Sequence, residues 1–260
     1  MTRQYAKDPN TPRVPASITK VATALIARQW VSDVDLDDVV TVTSADSPAG
    51  PSMGGVADGD ALTYRDLFFL MLMTSRDDAT HCLARNVGNL IVGGAGPGTS
   101  SDPYSRFVEA LNIGTVALGA TTAYFVDAGG FSVDNRLSAS DIALLGAQLA
   151  DDVFLLEAAG TYSRPVTTVD VSPRTFDCIN LFDPTGNVTV DNRVVTGYAF
   201  PEHVASKYGI TAEAGYCLLL IWDTPSAGRR ISVVMGCDDD TDLKRDLRQL
   251  INYELARSEM

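Results

Sequence analysis

The sequence predicts an α+β fold in which a cluster of helices packs on one antiparallel sheet. Apolar residues recur at helical spacing over much of residues 16–149, short alternating segments follow from residue 166, and a helical segment ends the chain. We find no internal repeat and no convincing linker, so we expect a single domain over residues 1–260.

The helical part is predicted to begin at residues 16–29, directly after Pro15, a residue that favours helix starts. A short strand is expected at residues 39–42. Further helices are predicted over residues 63–73, 79–90, 107–118 and 138–149, the last of them opening on a serine and aspartate sequence typical of an N-cap. Residues 47–60 and 93–103 are rich in Gly, Pro and Ser and are predicted to be loops.

The later part of the chain predicts the sheet. Alternating segments lie at residues 166–171, 188–190 and 204–206, and residues 216–222 and 230–235 form a predicted hairpin around 223–229. Residues 243–256 are predicted to form the final helix. Helices therefore precede antiparallel strands, as expected for an α+β fold.

Composition excludes several classes of function. The 260 residues are 45% hydrophobic, enough for a sizeable core, and their net charge of −13 argues against nucleic acid and anionic membranes as partners. The four cysteines show no metal-like spacing with the two histidines. No apolar run reaches membrane-spanning length, and the first residues have no apolar signal-peptide segment.

The candidate nucleophile is Ser17, three residues ahead of Lys20 at the start of the first helix. Positions three apart share one face of a helix, so the lysine amine can reach the serine hydroxyl. A serine hydroxyl needs such a base before it can attack a carbonyl group. The pattern alone is weak, because it occurs by chance in many helices.

Two further motifs supply what a serine–lysine hydrolase needs. Ser75-Arg76-Asp77 lies between two predicted helices, and Ser75 offers a second hydroxyl for proton transfer. Lys207-Tyr208-Gly209 lies at the start of a predicted strand, and Lys207 offers a cation for an anionic substrate end. The backbone N–H groups of Ser17 and Ile210 are the candidate oxyanion donors.

These three motifs together resemble those of the serine-type D-Ala-D-Ala carboxypeptidases, the low-molecular-mass penicillin-binding proteins of the β-lactamase/transpeptidase-like superfamily. Residues 52–55 through 62–67, 122–130, 136–143 and 214–236 are similar to further family segments, so the resemblance covers nearly the whole chain. It implies the β-lactamase/transpeptidase-like fold.

The resemblance also implies roles. Ser17 would attack the carbonyl between two terminal D-alanines of a peptidoglycan stem peptide, with Lys20 as its base, and water would hydrolyse the acyl-enzyme. Ser75 would assist proton transfer to the leaving D-alanine. Lys207, with Tyr208, Gly209 and Asp77, would bind substrate. β-Lactams are further expected ligands, and neither a metal nor an organic cofactor is implied.

Three departures from the family pattern stand out. Asp77 occupies a position that is usually Asn, and Tyr208 one that is usually Thr or Ser. An ionised aspartate only accepts hydrogen bonds, and it would favour the charged form of Lys20. The N-terminal edge strand of the family is expected to be missing, so a neighbouring subunit could cover the exposed sheet edge.

Two alternatives to an active carboxypeptidase remain open. In one, the fold serves as a catalytically weakened or inactive wall-binding or structural component, for example of a bacteriophage tail. In the other, the chain is a β-lactamase, although Glu109 resembles the deacylating residue of such enzymes only superficially. We expect action at the bacterial cell wall, by a virion-associated protein or an exported protein whose leader was trimmed.

Overall fold

Helices dominate residues up to 160 and strands most of the remainder. The computed structural model describes residues 5–47, 55–183, 188–190, 193–197, 203–224 and 228–258. The described helices are α1 (Thr19–Arg28), α2 (Tyr64–Met73), α3 (Asp77–Gly93), α4 (Pro103–Ala117), α5 (Ala139–Asp151), α6 (Val153–Gly160) and α7 (Asp240–Ser258), with 3-10 helices at Ala16–Ile18 and Ser44–Asp46. The described strands are β1 (Val39–Thr41), β2 (Ala61–Thr63), β3 (Ser163–Thr167), β4 (Thr175–Ile179), β5 (Phe182–Asp183), β6 (Val188–Val190), β7 (Arg193–Gly197), β8 (His203–Thr211), β9 (Gly215–Thr224) and β10 (Gly228–Cys237).

The predicted helices are confirmed, with small shifts at their ends. Thr63 and Ser138 are N-caps rather than first helical residues, since each side chain accepts a hydrogen bond from the backbone N–H three residues later. The first predicted helix is divided, because Ala16–Ile18 is a 3-10 turn before α1 begins. The predicted hairpin is confirmed as β9 and β10, although residues 225–227 of its turn, like 48–54 of the first predicted loop, lie outside the described residues.

Several described elements were not predicted: α6, β2, β4, β5, β7 and the 3-10 helix Ser44–Asp46. Helix α6 is an eight-residue, largely apolar segment whose start is capped by Asp152, and so short a run gives no clear period. Strands β2 and β4 have three and five residues. The segment predicted at 166–171 forms β3 earlier, at Ser163–Thr167.

The main sheet is antiparallel in the order β10-β9-β8. Helices α5 and α6 and the Ala16–Ile18 turn lie against one face, and α7 packs against β9 and β10 on the other. Alternation along β9 sends Leu219 and Ile221 into the large helical core and Leu218 and Leu220 into the smaller cluster under α7. Three small sheets, β1-β2, β3-β4 and β5-β7-β6, lie outside this framework.

The edges of the main sheet bear on the expected missing strand. Among the described residues before Ala16, the only ladder contact is a single bridge between Arg13 and Leu137. β10 therefore forms one edge of the three-stranded sheet in the described part of the chain. A neighbouring subunit over this edge, and a single domain over residues 1–260, stay predictions.

The cysteines and the helices complete the description. Cys82, Cys178, Cys217 and Cys237 are buried free thiols, which leaves Cys217 and Cys237 unlinked. Within the described residues, no helix is long and apolar enough to cross a membrane. In the same residues, no group of three or more His, Cys, Asp or Glu side chains is arranged to hold a metal ion.

Helices α3 and α4 touch through Gly88. A Cβ atom added there would lie 1.8 Å from the Pro103 carbonyl oxygen, at the start of α4. We expect Gly88→Ala to lower the free energy of unfolding by about 3 kcal/mol or more, because backbone has to move. Gly93→Ala is the control, since a Cβ at this exposed end of α3 meets nothing within 4 Å. Urea unfolding would contradict the close approach if both variants matched the wild type.

A second prediction concerns acid stability. Burial lowers the pKa of His203, at the start of β8, to about 4. Between that value and about 6.5, its usual pKa, the unfolded chain binds a proton that the folded chain does not. Stability present above about pH 6.5 is therefore lost as pH falls toward 4, by up to about 3 kcal/mol.

His203→Gln should remove this part of the pH dependence in urea unfolding at about pH 7 and about pH 5. His81→Gln is the comparison, because burial lowers the pKa of that imidazole too, and it should remove only its own share. An unchanged slope in His203→Gln would show that the His203 proton is not linked to folding.

Candidate active site

Ser17 lies in the middle of the 3-10 turn that precedes α1. It is partly exposed, whereas Ala16 and Ile18 on either side are buried. The backbone N–H groups in a first helical turn have no partner within the helix, so the Ser17 N–H is available to a ligand. Ala16 has a φ of +48°, a conformation that non-glycine residues rarely adopt, so the turn that presents Ser17 is strained.

Lys20 is fully buried one turn after Ser17. Its Nζ donates to Ser17 Oγ at 3.1 Å, to Asp77 Oδ1 at 2.7 Å and to the Gly129 carbonyl oxygen at 2.6 Å. These three acceptors come from the 3-10 turn, the first residue of α3 and the loop after α4. The ammonium group of Lys20 therefore joins three separate segments of the helical part.

Ser75 and Lys207 form a second serine–lysine pair. Ser75 lies between α2 and α3 with a φ of +57°, and Lys207 lies in the middle of β8 rather than at its start. Lys207 Nζ donates to Ser75 Oγ at 3.0 Å and to the Tyr208 carbonyl oxygen at 2.8 Å. Burial, and then the charge of Lys20, hold the pKa of Lys207 well below its usual range, although Asp77 opposes the shift.

Gly209 lets β8 approach the nucleophile. A Cβ atom at this position would lie 3.0 Å from the Ser17 nitrogen and 3.1 Å from the Ile18 nitrogen. The next residue along the strand is Ile210, whose N–H is the second predicted oxyanion donor. The two candidate donors thus belong to adjoining elements, and their role stays a prediction.

The ring of Tyr208 lies on the far side of the sheet. It contacts Tyr216 edge-on, with ring centroids 6.2 Å apart, and packs on the apolar cluster under α7. Successive side chains of a strand point to opposite faces, so Lys207 faces the helical part and Tyr208 faces away from it. Only the backbone of Tyr208 therefore lies beside Lys207. The Tyr208 backbone, and not its ring, stays a candidate for substrate binding.

The structure adds Asp127 and Gly129, two residues that the motifs did not single out. Asp127 accepts hydrogen bonds from four backbone N–H groups, at 2.8 Å (Gly129), 2.5 Å (Gly130), 3.3 Å (Phe131) and 2.6 Å (Ser132). This carboxylate fixes the loop whose Gly129 carbonyl contacts Lys20. The sequence Asp-Ala-Gly-Gly is typical of a tight turn, which is the signal that could have found it.

Glu109 has a different neighbourhood. It lies in α4 and its carboxylate accepts hydrogen bonds from the backbone N–H groups of Thr99 and Ser100. These bonds lower the pKa of Glu109. Its contacts tie down the loop before α4, and none of them involves Ser17 or Lys20.

Comparisons with known proteins agree with this geometry. A family profile described as D-alanyl-D-alanine carboxypeptidase, of the peptidase S11 class, matches residues 4–239. A D-alanyl-D-alanine endopeptidase of Pseudomonas aeruginosa is 26% identical over 229 residues, covering 83% of this chain and 61% of the relative. The D-alanyl-D-alanine carboxypeptidase DacF of Bacillus subtilis is 22% identical, covering 98% of this chain and 59% of the relative. The chain thus spans about three-fifths of the length of these two relatives.

The same fold occurs in solved structures. The Streptomyces K15 DD-transpeptidase superposes with a TM-score of 0.80 at 23% identity, covering 97% of this chain and 91% of that one. A D-alanyl-D-alanine carboxypeptidase of Mycobacterium tuberculosis superposes with a TM-score of 0.75 at 20% identity, covering 96% of this chain and 84% of that one. These likenesses confirm the predicted penicillin-binding/transpeptidase fold.

Asp127 gives a prediction for the site. Asp127→Ala removes an ionised acceptor of four hydrogen bonds, and bonds to charged groups contribute about 1.5–3 kcal/mol each. We expect the loop to relax away from Lys20 and the acylation of Ser17 by a fluorescent penicillin to slow roughly 10- to 100-fold. Asp134→Ala, at an exposed position of the same loop, should acylate normally. Equal rates in both variants would show that the loop does not position Lys20.

Proposed function

The chain belongs to the D-alanyl-D-alanine carboxypeptidase family, and we propose that it removes the terminal D-alanine of peptidoglycan stem peptides through an acyl-enzyme on Ser17. The observation that carries the proposal is the hydrogen bond from Lys20 Nζ to Ser17 Oγ at 3.1 Å. It joins a partly exposed hydroxyl to a fully buried amine, which is the arrangement of a nucleophile and its base.

In the acylation step, Ser17 Oγ attacks the carbonyl carbon of the bond between the two D-alanines. The hydroxyl proton passes to Lys20, and the carbonyl oxygen becomes an oxyanion. The N–H groups of Ser17 and Ile210 are the proposed donors to that oxyanion, and fixed backbone donors of this kind typically speed such steps by about 10²- to 10³-fold.

The tetrahedral intermediate then collapses. The carbon–nitrogen bond breaks and the departing D-alanine amine needs one proton. Ser75 is the proposed carrier, because its hydroxyl is buried and accepts a hydrogen bond from Lys207 at 3.0 Å. Water next hydrolyses the ester on Ser17, which releases the shortened peptide and restores the hydroxyl.

The substrate is proposed to lie along β8. Gly209 has no side chain to obstruct a peptide, and the exposed Ile210 follows it. Lys207 and the backbone N–H of Tyr208 are the proposed donors to the terminal carboxylate. Asp77, also proposed to bind substrate, contacts Lys20 Nζ at 2.7 Å. β-Lactams, which present an acylating carbonyl to the same serine, are proposed ligands, and the bacterial cell wall is the proposed place of action.

One observation favours the alternative of a catalytically weakened wall-binding relative. Lys20 and Asp77 form a buried ion pair at 2.7 Å, and a protonated lysine cannot accept the Ser17 proton. The two readings differ in a measurable activity.

The test is the release of D-alanine from a pentapeptide stem that ends in D-Ala-D-Ala. We expect release by the wild type and none above background by Ser17→Ala, because the acyl-enzyme cannot form without the hydroxyl. Ser105→Ala, on the exposed surface of α4, should release D-alanine at the wild-type rate.

A folded wild type that releases no D-alanine would sink the carboxypeptidase proposal. Binding of that same protein to isolated peptidoglycan would then favour the wall-binding alternative. Release that persists in Ser17→Ala would show that another group performs the chemistry.

A further inference from the structure

Asp77 lies between two buried lysines. The side chains of Lys20 and Asp77 are 0% and 5% exposed, and their charged atoms are 2.7 Å apart. Among the described residues, Lys20 Nζ has three oxygen partners, which matches the three N–H bonds of an ammonium group. The contacts thus fit the protonated form of Lys20. Asp77 is the one carboxylate among its three oxygen partners.

Lys207 is the other buried lysine near this Lys20–Asp77 pair. It donates to Ser75 Oγ and to a backbone carbonyl, both neutral acceptors. Burial, and then the charge of Lys20, lower the pKa of Lys207. The carboxylate in direct contact with a buried lysine here is Asp77, and its partner is Lys20.

Three other titratable groups lie near the pair: His81 on α3 itself, Tyr104 on α4 and Asp127 in the loop after α4. Burial lowers the pKa of His81 on α3 and raises the pKa of Tyr104 on α4, so both are neutral near pH 7. The Asp127 carboxylate is occupied by four backbone N–H groups. None of these three is bonded to Lys20 Nζ, so Asp77 is the acceptor that a Lys20 proton reaches directly.

Burial makes a proton transfer within the pair accessible. An ion pair taken out of water loses hydration free energy that its Coulomb attraction only partly restores. Moving one proton from Lys20 Nζ to Asp77 Oδ1 turns the ion pair into a neutral amine and a neutral carboxyl group, with no proton exchanged with solvent. The amine then has a lone pair 3.1 Å from Ser17 Oγ.

We propose that Asp77 is the proton acceptor that makes Lys20 a base for Ser17. This inference rests on the acyl-enzyme function proposed above. As the bond from Ser17 Oγ to the carbonyl carbon forms, the hydroxyl proton moves to Lys20 Nζ and a Lys20 proton moves to Asp77 Oδ1. The charges balance, because the oxyanion gains the negative charge that Asp77 gives up.

The reverse transfer completes the cycle. When the carbon–nitrogen bond breaks, the leaving amine takes the Ser75 hydroxyl proton, and one proton from the Lys20–Asp77 pair replaces it. Lys20 then recovers its proton from Asp77, and the ion pair is restored. The pair therefore carries the same protons at the end of the cycle as at its start.

The test is Asp77→Asn, which keeps the shape of the side chain and removes its charge. We expect acylation of Ser17 by a fluorescent penicillin to slow roughly 100-fold or more near pH 7. The rising limb of the pH–rate profile should move to higher pH, because Lys20 then becomes a base only by losing its proton to solvent. Asp78→Asn is the control, since Asp78 lies in the same helical turn but binds the Gly55 and Val56 N–H groups, and its limb should stay in place.

Several outcomes would overturn the proposal. One is an Asp77→Asn variant that is acylated as fast as the wild type or faster, and whose pH–rate profile rises at the same or a lower pH. Asp77 would then only keep Lys20 from acting as a base. Another is a wild type that no penicillin acylates. If Asp77→Asn does not fold, the pH–rate profile of wild-type acylation is the test. The proton relay requires the rate to rise where carboxyl groups titrate, below about pH 6, and a rate that rises only above about pH 8 contradicts it. Acylation without D-alanine release would separate failure of the proposed carboxypeptidase function from failure of the relay.

Discussion

The buried ammonium group of Lys20 is the constraint on which the site depends. A lysine without exposure is tolerated only when its hydrogen bonds are satisfied, and here the partners come from three segments distant in sequence: Ser17, Asp77 and Gly129. Each segment is held in turn by its own surroundings. The four N–H bonds to Asp127 fix the Gly129 loop, so the nucleophile, its base and their support form one connected network.

The sheet supplies the other half of the site through a close approach of backbone to backbone. Gly209 brings β8 against the 3-10 turn, where a methyl group would lie 3.0 Å from the Ser17 nitrogen. A second glycine also approaches this turn: a Cβ at Gly130, which has a φ of +90°, would lie 1.9 Å from the Ala16 carbonyl oxygen. The strained turn at Ala16 thus packs against two glycines, and strain persists only where such surroundings impose it.

Sequence reasoning succeeded where a motif carries its own geometry. Ser17 and Lys20 are one helical turn apart, and this spacing alone predicts their contact. The contact between Ser75 and Lys207 spans 132 positions and was not predicted, because the motifs assign both residues to one site without saying which side chains touch. Asp127 was missed because its bonds go to backbone, which leaves no side-chain pattern. Short elements such as β2 and α6 were missed because their form comes from packing rather than from a period.

The two departures from the family motifs differ in consequence because they lie on different faces of the structure. Alternation along β8 turns the Tyr208 ring toward Tyr216 and the cluster under α7, where an aromatic side chain contributes to packing. Asp77 instead touches the base itself at 2.7 Å. An exchange of amide for carboxylate in a buried site changes the charge that every neighbouring group experiences. The substitution on α3, rather than the bulkier one on β8, is therefore the one that reaches the chemistry of Ser17.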